Sequence, residues 1–105
     1  MLDYIESLAN KRDKDSRIKF TKIQDYIKAL RRYGLTLKAP YIKHIEGDIW
    51  EMRPLRDRFF FVSWVNDSFV ILSHFTKATQ KTPRYEIERA KIALSYLKER
   101  GLENE

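Results

Sequence analysis

The chain has no cysteine among its 105 residues. That excludes disulfides, thiolate nucleophiles and cysteine-ligated zinc. His44 and His74 are the only imidazoles, and their spacing from the carboxylates fits no metal motif. No metal or other cofactor is therefore expected. Glycine is nearly as scarce, at positions 34, 47 and 101 only, so there is no glycine-rich phosphate loop. Serine-hydrolase and cysteine-nucleophile arrangements are absent too. The longest apolar run, Phe59 to Val65, is far too short to span a bilayer. Met1 leads directly into a charged amphipathic segment, so no signal peptide is expected, nor any membrane partner. The expected compartment is the cytoplasm.

What the chain does have is positive charge. Lysine and arginine number 21 against 15 acidic residues, a net +6. The excess lies in residues 1–85 and reverses slightly over 86–105. A basic body with a slightly acidic end favours a polyanionic partner, nucleic acid being the commonest. A merely soluble basic protein is the plainer reading of the same charge.

Hydrophobic spacing predicts one α+β domain over 1–105, without repeats or linkers. A helical pair fills 1–34. Leu2, Ile5 and Leu8 mark a short first helix over 2–11. After the charged break at 11–15, Ser16 can cap a second, whose stripe is Phe20, Ile23, Ile27 and Leu30. Gly34 ends it. From Asp48 the period shortens, and an antiparallel sheet of three strands or more is expected over 48–75. Its strands are Ile49–Arg53, stopped by Pro54, then Arg58–Val65, then Ser68–Phe75, with Asn66-Asp67 as a two-residue turn. The second of these is apolar on both faces, as a strand covered on both sides or by a partner on one would be. His44, ahead of the sheet, reads as loop and takes no role. Thr82 as N-cap and Pro83 as first helical residue open a C-terminal helix over 83–100, with Ile87, Ala90, Leu94 and Leu97 inward.

The basic residues are placed unusually. Lys77, Lys81 and Arg84 gather at the start of that last helix, where the backbone dipole is already positive. They make sense if an anion such as phosphate completes the site. Arg53 ends one strand, and Arg56 and Arg58 open the next. Neighbouring strands lie about 4.8 Å apart, so Arg53, Arg56, Arg58, Lys77 and Lys81 can border one concave face. Such a cluster suits metal-independent cleavage of RNA by its own 2′-hydroxyl. Pre-placed cations stabilise the charge that grows on the phosphate, each worth about 3 kcal/mol in comparable sites. A desolvated lysine among them can also move a proton. Strand-end arginines that only keep a sheet soluble are the competing reading for Arg56 and Arg58. His74 is either a proton carrier or a structural strand histidine.

Several runs resemble the HigB-like branch of the RelE/ParE toxin superfamily. They are Leu2-Asp3-Tyr4-Ile5, the segment Pro40 to Gly47, Trp50-Glu51-Met52-Arg53-Pro54, Arg58 with its aromatic strand, and Lys77-Ala78-Thr79-Gln80-Lys81-Thr82-Pro83 with Glu86, Ile87 and Ala90. The resemblance implies a RelE-like fold and the toxin of a type II toxin–antitoxin system. Its activity would be that of a ribosome-dependent mRNA interferase, an endoribonuclease. Its partners would be mRNA on the ribosome and a cognate HigA-like helix-turn-helix antitoxin, in a toxin–antitoxin hetero-oligomer. By motif position Arg53, Arg58, Lys77 and Lys81 are the catalytic candidates, with Arg56, Gln80, Arg84 and His74 beside them as RNA-binding residues. The alternatives are a gyrase-targeting ParE-like toxin, or a non-catalytic or inactivated RNA- or ribosome-binding protein. Three positions depart from the family pattern. The strand that usually precedes Leu2-Asp3-Tyr4 is missing, Ala78 stands where a basic residue is common, and Ser73 stands where histidine is frequent. Ala78 implies weakened activity.

Overall fold

The computed structural model describes residues 2–65, 68–78 and 81–101. Two helices, α1 (Leu2–Asn10) and α2 (Lys14–Tyr33), lead through a 3₁₀ turn at Gly34–Thr36 into four strands and a closing helix. The strands are β1 (Ile42–Glu46), β2 (Ile49–Met52), β3 (Asp57–Ser63) and β4 (Phe69–Thr76), and the helix is α3 (Arg84–Gly101). The sheet is antiparallel throughout, in the order β1-β2-β3-β4. It is the expected α+β architecture, and the strand added to the three expected ones is β1, which includes His44, read above as loop.

The double-sided apolarity of β3 has a direct physical cause. Phe59 and Phe61 face α1 and α2, packing with Ile23, Leu30 and Met52. Phe60 and Val62 face α3, packing with Ile49, Phe75 and Ala90. All four β3 residues are essentially solvent-free. Burying a phenylalanine fully is worth about 1.5–3 kcal/mol, so β3 anchors both layers at once. The sheet is thereby sandwiched at β3, while edge strand β1 exposes Lys43 and His44.

Several local expectations need correcting. Residues around His44 form β1, paired with β2 through Lys43↔Glu51 and His44↔Trp50. Helix α2 begins earlier than a Ser16 cap would allow, because the Asp13 carboxylate accepts the Ser16 backbone N–H at 3.0 Å. Gly34 does close α2, donating its N–H to Leu30 at φ 60°, a conformation natural to glycine. Helix α3 starts at Arg84, with the Pro83 carbonyl accepting from Glu86 N–H. Thr82 does not cap it, since its hydroxyl donates instead to Glu51 at 3.3 Å. The Asn66-Asp67 turn lies outside the described residues.

Candidate nucleic-acid interface

Beyond the start of α3, the α3-facing side of the sheet is left uncovered and carries polar residues. Strand alternation puts Glu51 and Arg53 on the same side as Ile49, and register puts Lys43 of β1 directly across from Glu51. On β3, Arg58 is opposite Phe75 of β4, and the chain then runs on to Lys77. The result is a cleft of about 310 Å³ lined by Lys43, Glu51, Arg53, Lys77, Lys81 and Thr82, with Ile87 of α3 on its wall.

Glu51 forms the floor of this cleft and is only 1% exposed. Its Oε1 lies 3.3 Å from Arg53 Nε and 3.9 Å from Arg58 Nε. Arg58 is largely buried, and its Nη1 donates to the Leu55 and Asp57 carbonyls at 2.7 and 2.9 Å. The turn that offers the Leu55 carbonyl is itself strained, with Leu55 at φ 56°. Arg58 thus backs the cleft electrostatically, while Arg53 keeps a partly open side chain. Among the described residues, the Nε atoms of Arg53 and Arg58 have no hydrogen-bond partner. Desolvation, opposed by Glu51 and reinforced by Arg53, lowers the Arg58 pKa, with Asp57 and Tyr26 also pulling upward.

Lys77 experiences the crowding most usefully. Desolvation, then the positive charges of Arg58 and Arg53, lower its pKa, Glu51 opposing and Lys43 adding to the effect. A lysine in this setting releases its proton more readily than a free one, which suits proton transfer. Its backbone N–H is fixed to the Arg56 carbonyl at 2.8 Å.

The other candidates separate. The side chain of Arg56 is exposed and does not line the cleft. Arg84 is turned away from any anion at the helix start, held by Glu46 at 2.7 Å and by Glu88 at 2.7 Å. These contacts, first from Arg84 and then from Lys91, pull the Glu46 carboxyl down to about 2. His74 projects to the opposite face. There it meets Asp57 at 3.1 Å and stacks on Tyr4 at 4.1 Å, away from the cleft. Gln80 lies outside the described residues. Sequence reasoning passed over Glu51 and Lys43. The available signal was the i, i+2 spacing of Glu51 and Arg53 within a strand, which puts opposite charges side by side.

A larger cavity of about 380 Å³ lies between α2 and the sheet, but its lining is apolar apart from Arg31 and Ser68. It offers no proton-transfer group and carries no chemistry. No helix among the described residues is long and apolar enough to cross a membrane.

Fold and site together define a small α+β domain with a cationic cleft at one end of a four-stranded sheet. The chain belongs to the family described as "Phage derived protein Gp49-like (DUF891)", which matches residues 7–95. That family is toxin-like, of RelE/ParE type, and associated with toxin–antitoxin systems, which implies an antitoxin as partner. No curated protein matches the chain.

Proposed function

We propose that this chain is a HigB-like toxin that cleaves mRNA on the ribosome and is held inactive by a HigA-like antitoxin. The observation that carries the reading is the convergence of Lys43, Arg53, Lys77 and Lys81 on one cleft, with Arg58 behind it. In the proposed reaction the neutral Lys77 amine takes the proton from a ribose 2′-hydroxyl. The 2′-oxygen forms a bond to the adjacent phosphorus, and the bond from phosphorus to the 5′-oxygen breaks. Lys81, as an ammonium, protonates the departing 5′-oxygen. A 2′,3′-cyclic phosphate remains on one fragment and a 5′-hydroxyl on the other. Arg53 in the cleft, with the field of Arg58 behind, stabilises the added negative charge at phosphorus.

Brief inducible expression, with and without an antitoxin gene, followed by mapping of message 5′ ends, tests this reading. New ends within translated messages are expected, and Lys77→Ala should reduce them about 10²–10⁴-fold. With purified toxin and programmed ribosomes, cleavage should rise with pH and level off below the ordinary lysine pKa of about 10.4, because the Lys77 pKa is lowered. Intact messages alongside DNA damage would favour a ParE-like gyrase toxin instead. Ribosome association without cleavage would favour a non-catalytic binder, the reading that Ala78 supports.

A further inference from the structure

The cationic cleft can hold a sugar–phosphate backbone, but phosphate contacts alone leave the bases unheld. We infer that Tyr41, braced by Tyr26, is a stacking platform for an unpaired nucleobase beside that cleft. The inference rests on the RNA-directed reading above and adds a second ligand chemistry to it.

Tyr41 stands immediately before β1, and its carbonyl accepts the backbone N–H of Arg53 at 3.0 Å. It is therefore one strand spacing, about 4.8 Å, from Arg53. Lys43, another residue of the cleft, follows two positions later. A base on Tyr41 and its own phosphate in the cleft are thus neighbours. Tyr41 is 40% exposed. It is also braced, because Tyr26 of α2 packs against it at 4.9 Å between centroids with an interplanar angle of 55°. An open aromatic surface on a fixed support loses little freedom when a ligand stacks on it. Tyr26 in turn is close enough to Arg58 to act on its charge. Lys22, one helical turn before Tyr26, is exposed and adds positive charge alongside. Basic groups that track the backbone, with aromatic rings that take the bases, are how proteins bind single strands without reading sequence. Burial explains Tyr26 by itself. It does not explain a large exposed ring next to the cations.

The test uses a short single-stranded RNA at low salt, carrying one 2-aminopurine or one abasic position, with wild type, Tyr41→Ala, Tyr41→Phe and Lys77→Ala. Stacking on one aromatic ring is worth about 1–3 kcal/mol per base. Tyr41→Ala should therefore weaken binding about 5- to 150-fold with no change in salt dependence, while Tyr41→Phe keeps most of the affinity. Wild type should quench the 2-aminopurine, Tyr41→Ala should not, and abasic RNA should bind wild type as weakly as intact RNA binds Tyr41→Ala. Thermal melts check that each variant is folded. Equal affinity and equal quenching for wild type and Tyr41→Ala, with Lys77→Ala weakened, would overturn the platform and leave the RNA reading standing. If wild type binds neither this RNA nor programmed ribosomes, the RNA reading fails and the platform with it.

Discussion

Two arginines close to one buried carboxylate repel each other, and the carboxylate offsets that repulsion; Glu51 occupies this position at 3.3 and 3.9 Å. Removing one member of a buried charge cluster typically costs about 3–5 kcal/mol. Glu51→Ala should therefore lower stability by about 3 kcal/mol, or roughly 12–24 °C in Tm for a domain of this size. A melting shift of only a degree or two would show that the Glu51 carboxylate does not hold the arginines. Ala78 presents the opposite case, an exposed small residue beside Lys77. Ala78→Lys adds a cation to the cleft's edge. It should steepen the salt dependence of RNA binding by about 0.7 in log–log slope and increase message cleavage on expression. The same growth and the same message integrity for wild type and Ala78→Lys would count against a role for this position.

Among the elements, α1 meets the sheet through apolar packing of Ile5 and Leu8 and through one polar cluster. The Tyr4 hydroxyl donates to both Asp57 carboxylate oxygens at 2.9 and 3.0 Å, and Thr76 donates to Asp57 at 3.0 Å. Burial raises the Asp57 carboxyl, but hydrogen bonds from His74, Tyr4 and Thr76 outweigh it, and its pKa ends below the ordinary value. Burial first, then the hydrogen bond and charge of Asp57, push the Tyr4 phenol up to about 12. A folded pKa above the unfolded value of 10 means the contribution is complete below pH 10. It is lost as pH climbs towards 12. Wild-type stability should fall across that window, and Tyr4→Phe should be less stable at neutral pH by about 1.5–3 kcal/mol yet show a flatter alkaline limb. Chemical denaturation at stepped pH measures both.

The elements also show why sequence reading stopped where it did. The stripe of α2 and the run of β3 were legible because their periods are long and uninterrupted. Strand β1 was not, since Ile42 and Ile45 are three apart. A bulge between His44 and Glu46 lets Ile42 pack towards the helical pair and Ile45 towards α3, breaking the alternation that marks a strand. The cap of α3 failed for a different reason. Thr82 is a good N-cap by type, but its hydroxyl finds Glu51, 31 positions away, and no local rule sees such a partner. In the same way, strand ends announced Arg53 and Lys77, whereas the pairing of Lys43 with Glu51 depends on a register that sequence does not reveal.

For the molecule as a whole, a net charge of +6 supplies attraction to any polyanion, and the cleft gives it a place to act. If Lys43, Arg53, Lys77 and Lys81 each meet a phosphate, log affinity for single-stranded RNA should fall with log salt at a slope of about −3. Lys81→Ala should reduce that slope by about 0.7. An unchanged slope with unchanged affinity would remove Lys81 from the phosphate path. The order of the chain sets when that cleft is complete. The arginines and Lys77 are synthesised before Thr82, whose bond to Glu51 brings Lys81 and the start of α3 to the other wall. The wall that carries Lys81 and Ile87 is thus the last part of the cleft to be synthesised, and a chain ending before Thr82 would hold the other cations without it.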